Sequence, residues 1–265
     1  MRIVVAVKHV PDIQADRSFT AEGRVAREGG DGTLNELDEC AVEEALRLVE
    51  AAGEGEHEIV ALTVGPTGAV DAVRRALQMG AHAAVHVCDD AVAGSDVTGT
   101  SRALAAAVRT LHAEAPVDVA LFGMAALDGL GSVVPALVAA ELGWPALTFA
   151  TRLGADGVTL TIERDVAGAR ETLAAPAPAV VSVTDAINSP RFPVLAGILA
   201  ARSIEVRRLD LAAIGLDAAE VGAEGARTRV LTAAPRPPRP EPDIRYDDGS
   251  GGRALAEFLI ARELV

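Results

Sequence analysis

Short strand-type runs alternate with helix-type stretches from Arg2 to Gly143, and no other feature of this chain constrains its fold as strongly. Residues 2–8 (RIVVAVK) form an unbroken β-branched run, the pattern of a strand buried on both faces. Residues 35–52 place Leu37, Val42, Ala45, Leu46 and Val49 near helical spacing, with Asn35 or Asp38 available to cap the start. Residues 57–64 read as the next strand, stopped by Gly65-Pro66, and residues 67–80 as a helix that ends on its glycine. Strands follow at 83–87 and 117–122, separated by an Ala-rich helix capped by Ser95 or Asp96 and running to about Leu111. The last helix of the series covers 132–142 and stops at Gly143. This order predicts an α/β fold: an open, mostly parallel sheet with helices on both faces.

Composition agrees with that expectation. Half of the 265 residues are hydrophobic but only 3% are aromatic, so Val, Leu, Ile and Ala must build the core. The formal charge of −14 sets up a field that repels phosphate backbones, which argues against a nucleic-acid partner. Lys8 is the one lysine; the remaining cations are arginines. Cys40 and Cys88 lie in neither a CxxC pair nor a Cys/His cluster, so no zinc site is read, and two isolated thiols fit a reducing compartment or a single disulfide. The N-terminus lacks the length and cleavage site of a signal peptide, and no apolar stretch approaches the roughly 20 residues that span a bilayer. A cytoplasmic protein without membrane insertion is expected.

Beyond Gly143 the pattern changes. Residues 147–151, 157–165 and 169–173 read as antiparallel strands joined by turns such as Ala155-Asp156-Gly157, and 179–184 again as a buried strand. Residues 12–32 are Gly-rich and charged, as in a long loop or hairpin. From Ile204 the regular period is lost; 233–242 (AAPRPPRPEP) is a Pro-rich connector, and 252–264 a short amphipathic helix. The expected division is an α/β domain over 1–208 and a C-terminal arm over 209–265.

Open parallel sheets bind ligands beyond the carboxyl ends of their strands. Ala6-Val7-Lys8, Val64-Gly65-Pro66, the loop after Val87 and the stretch 123–134 (GMAALDGLGSVV) converge there. Glycines before a helix let backbone approach a phosphate, and the helix N-terminus offers free N–H groups. The stretch is neither GxGxxG nor a Walker A loop, so by itself it fits a phosphate site or a plain turn. Lys8 at a strand end fits an anion contact or a structural ion pair. His82 and His86 are four apart across a predicted strand, a poor metal spacing, and no GxSxG, HExxH or reactive-cysteine setting occurs. A phosphate loop of ATP-pyrophosphatase type is also missing: Lys8-His9-Val10-Pro11 follows the first strand. An ATP-binding stress-type protein stays open on these residues. The stretch 184–201 combines Asn-Ser-Pro turn chemistry with Phe192, Val194, Leu195, Ile198 and Leu199; it fits a capped core helix or an apolar projection that grips partners.

An ordered set of motifs resembles the electron-transfer flavoprotein beta family: VAVKHVPD from Val5, NELDECAVEEALRL from Asn35, LTVGP from Leu62, RRALQMGA from Arg74, GMAALDG from Gly123 and NSPRFPVLAGIL from Asn188. The resemblance runs from Met1 to about Arg208. It implies an adenine-nucleotide α-hydrolase-like sheet and a non-enzymatic electron carrier. The alpha subunit of a heterodimer would bear the FAD, and this chain would hold a structural AMP. By resemblance, Ala6, Asn35 and Val64 would contact the adenosine, and Gly123, Met124, Asp128, Gly129, Leu130, Gly131, Ser132, Val133 and Val134 would wrap the phosphate. Leu130 and Val133 stand where bifurcating relatives carry acidic or amide side chains, which favours AMP over a second FAD. Ile13 and Leu37 would line the FAD edge, and Leu195 would anchor a recognition segment near 184–201 on dehydrogenases such as acyl-CoA dehydrogenases. Electrons would pass on to a membrane quinone oxidoreductase or another acceptor. The arm and its helix would pack on the alpha subunit.

Overall fold

The computed structural model describes residues 1–14, 18–27, 32–242, 244 and 246–265. The elements in chain order are β1 (Arg2–Ala6), β2 (His9–Pro11), β3 (Gly32–Leu34), α1 (Glu36–Ala52), β4 (Glu58–Val64), α2 (Val70–Met79), β5 (Ala83–Val87) and α3 (Val97–Glu114). Next come β6 (Val119–Gly123), α4 (Val134–Leu142), β7 (Ala146–Ala150), β8 (Arg152–Asp156), β9 (Thr159–Val166), β10 (Ala169–Pro176) and β11 (Ala179–Val183). The series ends with α5 (Leu195–Ala201), β12 (Val206–Leu209), α6 (Gly222–Gly225) and α7 (Gly251–Ala261). The chain divides into two compact units, Met1–Leu231 and Thr232–Val265.

Seven strands form one sheet in the order β12-β5-β4-β1-β6-β11-β7, and every pairing in it is parallel. Side chains along β1 alternate between two cores. Ile3 and Val5 enter the one built with α1 and α2, and Val4 and Ala6 the one built with α3 and α4. The doubly wound α/β architecture expected from the alternation is therefore the architecture found. Local chemistry sets the helix limits: Asp96 Oδ1 accepts from the N–H groups of Thr98 and Gly99 at 2.9 and 3.0 Å to start α3, and Gly143 ends α4 in the left-handed region at φ 68°.

Several expectations are corrected. The stretch 147–151 does not join the antiparallel strands: β7 pairs in parallel with β11 at the sheet edge. The antiparallel sheet is β10-β9-β8, so the stretch ending at Ala155-Asp156 is itself a strand, and Leu160 and Ile162 of β9 turn into the first core. Residues 206–209, read as aperiodic, form β12 on β5; four residues at an edge are too few to show a period. The first compact unit runs to Leu231, and Leu211, Ile214 and Val221 are buried in the second core. The stretch 12–32 is bracketed by an antiparallel pair, β2 with β3, and Phe19 bridges Val25 within it; its residues 15–17 and 28–31 lie outside the described residues. Cys40 and Cys88 are both buried free thiols.

In the second unit, 233–242 is exposed and without regular structure, and α7 follows a turn in which Asp247 Oδ1 accepts from the N–H groups of Gly249 and Gly251 at 2.8 Å each. Among the described residues no helix is long and apolar enough to cross a membrane.

Candidate functional site

After β1 the chain winds outward through β4 and β5, then returns to place β6 on the other side of β1. The loop after β1 leads to α1 on one face and the loop after β6 leads to α4 on the other, so the topological switch point, where sheets of this kind bind ligands, lies between the carboxyl ends of β1 and β6. Ala6 ends β1, Val64 ends β4 and Gly123 ends β6, so three of the expected site residues stand at strand tips by topology alone.

Asn35 is fully buried at the N-cap of α1, but its side chain does not cap the helix. Its Nδ2 donates to the Ala125 carbonyl at 2.8 Å, and the Leu127 N–H donates to its Oδ1 at 3.0 Å. The amide thus clasps the loop after β6, which needs one donor and one acceptor on the same group. Three acidic residues in the first turn, Glu36, Asp38 and Glu39, favour the helix start through its dipole instead.

Asp128 closes the loop from its far side. Its side chain is 1% exposed and accepts from Lys8 Nζ at 2.8 Å and Arg27 Nε at 2.6 Å. Burial opposes its charge, but Lys8 and Arg27 more than offset this and hold the carboxyl below its ordinary range. Lys8 is thereby a structural ion-pair partner. Beyond Asp128 the loop turns outward: Gly129, Leu130 and Gly131 are exposed, and Leu130 and Ser132 occupy the left-handed region at φ 49° and 52°. Val133 is half-exposed at the N-cap position of α4 with no side-chain cap, Val134 is the first helical residue, and Met124 is partly buried.

The glycines of this loop serve different ends. A Cβ on Gly129 would meet nothing within 4 Å, and one on Gly131 would only touch Val97 at 3.7 Å. A Cβ on Gly123 would lie 2.5 Å from Asp38 Oδ1 and 2.6 Å from the Leu37 carbonyl oxygen. At Gly123 the missing Cβ makes room for the first turn of α1.

The sequence offers Asp38 only as a possible cap. It is buried, and the Lys8 N–H donates to its Oδ2 at 2.9 Å. Burial pushes its carboxyl from 3.8 up to about 7, against bonds from Asn35, Lys8 and Gly123. The folded state therefore holds the proton more tightly than the unfolded chain, and Asp38's contribution to stability falls as pH rises from about 4 to about 7. Unfolding midpoints of the protein and of Asp38→Asn, compared from about pH 5 to about pH 8, should show the wild type losing ground to the variant up to about 7 and no further change above it. A pH-independent gap would refute this.

The other expected positions are scattered. Ile13 is 51% exposed just after β2, whereas Leu37 is buried in the first turn of α1. Leu195 begins α5 and is 71% exposed, beside Phe192, Val194 and Leu199, also exposed, so the stretch 184–201 projects apolar side chains in place of forming a core helix. His82 Nδ1 accepts from the Ile59 N–H at 2.9 Å, and His86 Nε2 lies 3.0 Å from the Gly65 carbonyl oxygen, so both are committed to backbone. Arg27 escaped sequence reasoning because its partner is 101 residues away. Asp38 had a visible signal: with Val42 and Ala45 it falls on the buried stripe of α1.

A glycine-bearing loop clasped across the switch point of a parallel sheet covered on both faces defines the chain as a doubly wound α/β protein. Residues 23–214 match the family model described as the electron transfer flavoprotein domain. Proteins named electron transfer flavoprotein subunit beta from Mycobacterium tuberculosis and Megasphaera elsdenii are 41% and 33% identical to this chain, over 99% and 100% of both partners in each comparison. Protein FixA of Azotobacter vinelandii is 31% identical over 99% of this chain and 94% of its own length. The chain belongs to the electron transfer flavoprotein family, with the beta subunits, and its role is in electron transfer.

Proposed function

We propose that this chain pairs with an alpha subunit that carries the redox-active FAD, and that it holds one AMP in a structural role at the β1/β6 switch point. The observation that carries the reading is the loop 123–134, clasped by Asn35 and tied down by the Lys8–Asp128–Arg27 bridge at the strand tips. The adenosine lies against Ala6, Asn35 and Val64. The phosphate is taken by the loop from Gly123, Met124 and Asp128 through Gly129, Leu130, Gly131, Ser132, Val133 and Val134.

Three features support that fit. Gly129 and Gly131 leave open space beside the backbone. The first turn of α4 has no side-chain cap; Pro135 has no N–H, so the N–H groups it offers an anion are those of Val134 and Ala136. Lys8 and Arg27 together exceed Asp128 by one positive charge.

Ile13 reaches the FAD of the alpha subunit from its exposed turn, and Leu37 backs that surface from within. Leu195 anchors dehydrogenases such as acyl-CoA dehydrogenases, from which electrons pass through the FAD to a membrane quinone oxidoreductase or another acceptor. The chain performs no acid–base or nucleophilic chemistry itself. The second unit packs on the alpha subunit, and the heterodimer works in the cytoplasm.

Mass spectrometry of the nucleotide released when the purified heterodimer is denatured tests the reading. One AMP per heterodimer, with FAD at a single equivalent, is expected. Two equivalents of FAD would replace this reading with a bifurcating subunit, ATP would replace it with a stress-type nucleotide binder, and no nucleotide would leave only an assembly role.

A further inference from the structure

The apolar segment that begins at Phe192 is seated from two sides. On its N-terminal side, Arg191 is clamped onto α1: its Nε donates to Glu43 Oε2 at 2.7 Å and its Nη1 to Glu50 Oε1 at 2.7 Å, while its own N–H donates to Glu43 at 3.1 Å. Asn188, just before it, donates through Nδ2 to the Cys40 carbonyl and Glu44 Oε2 at 3.0 and 2.9 Å. The Glu43 side chain is 5% exposed, so this is a partly buried, bidentate pair and not a loose surface contact.

At the other end α2 takes over. Arg74 Nη1 donates to the carbonyls of Ala201 and Ile204 at 3.1 and 2.8 Å, binding the last turn of α5 and the chain beyond it. In the middle of α5, Gly197 lies so close to α2 that a Cβ there would stand 2.7 Å from the Gln78 carbonyl oxygen. A cavity of about 220 Å³, lined by Arg74, Gln78, Ile198, Ala201 and Arg202, lies in the same interface. Burial of Ala201 in the first core holds one end of the seat, and the backbone approach at Gly197 and the two arginines complete it.

A helix of seven residues does not hold its shape alone in water. If α5 were ordered only on docking, the partner complex would bear that entropy loss; an α5 already seated avoids it. We propose that Gly197 and Arg191 are positioning residues that hold α5 so that Leu195 meets a flavin dehydrogenase in a fixed orientation. The inference rests on the docking role given to Leu195 above. Alanine is a better helix former than glycine. A merely flexible apolar loop would therefore tolerate or gain from Gly197→Ala, whereas a seated helix would be pushed off α2.

The test is steady-state reduction of the intact, FAD-loaded heterodimer by a purified acyl-CoA dehydrogenase, with the heterodimer as the varied substrate. Gly197→Ala should raise KM about tenfold with kcat and FAD content unchanged, and Leu195→Ala should do the same. The double variant should lose no more than Leu195→Ala alone, because both act through one contact. Arg191→Lys, which keeps a charge beside Glu43 but cannot bridge both carboxylates, should raise KM by a smaller factor; it reads the seat independently if Gly197→Ala fails to assemble. Unchanged KM in Gly197→Ala and Arg191→Lys, or losses that add fully to those of Leu195→Ala, would overturn the positioning role while leaving docking intact. An unchanged KM in Leu195→Ala would overturn the docking role, and the positioning role with it.

Discussion

Asn35→Ala is expected to release the nucleotide proposed above and to destabilise the first unit by about 2–3 kcal/mol. The side chain is fully buried and makes two hydrogen bonds to the loop after β6, at 2.8 and 3.0 Å. Each is worth about 1 kcal/mol net, and the vacated volume adds to the loss. In a unit of this size the unfolding midpoint should fall by about 5–10 °C, measured by circular dichroism of the heterodimer. Nucleotide content, read after denaturation, should fall more steeply than stability, because the loop proposed to wrap the phosphate loses its clasp on the α1 side. Asn35→Asp is the sharper control. It keeps the shape but sets a carboxylate oxygen against the Ala125 carbonyl where a donor stood, so it should do no better than alanine. Full retention of nucleotide in either variant would mean that the loop is held without Asn35.

Gly123→Ala is expected to cost about 3 kcal/mol, near the upper end for overpacking, while Gly129→Ala should leave stability within about 0.5 kcal/mol. The new methyl at 123 would meet a main-chain oxygen of Leu37 and the bonded carboxylate of Asp38, and neither can swing aside as a free side chain could. The first turn of α1 would have to move off β6. The Asp38 bond to the Lys8 N–H and the Asn35 clasp would move with it. At Gly129 the same methyl meets nothing within 4 Å. Gly129→Ala should instead weaken nucleotide retention, because the space it fills is the space assigned to the phosphate. Denaturant midpoints separate the two roles. Equal destabilisation by both substitutions would show that the loop glycines are a single structural set.

Much of the architecture was legible before any coordinate. The β-branched runs at 2–8, 57–64, 83–87 and 179–184 became β1, β4, β5 and β11, because strands buried on both faces carry a hydrophobic signal at every position. The edges were not legible. β12 is four residues long, and β7 reads like its antiparallel neighbours because a lone strand carries no record of its pairing direction. At the candidate site, Ala6, Val64 and Gly123 could be placed because strand ends and glycines announce themselves. The Lys8–Asp128–Arg27 bridge and the Glu43–Arg191–Glu50 clamp could not, since each joins residues on the order of a hundred or more positions apart.

The sequence by itself determined the alternating order of strands and helices, the placing of a glycine loop after β6 and the family, since each of these is a local pattern or an ordered string of such patterns. Tertiary structure alone decided three things: that Asn35 clasps a loop instead of capping its helix, that Gly123 makes room for α1, and that the segment after Asn188 projects outward. The reason is physical. Periodicity specifies which face of an element is apolar, whereas the partner that covers or leaves bare that face is set by distant residues, and only folding brings those into contact.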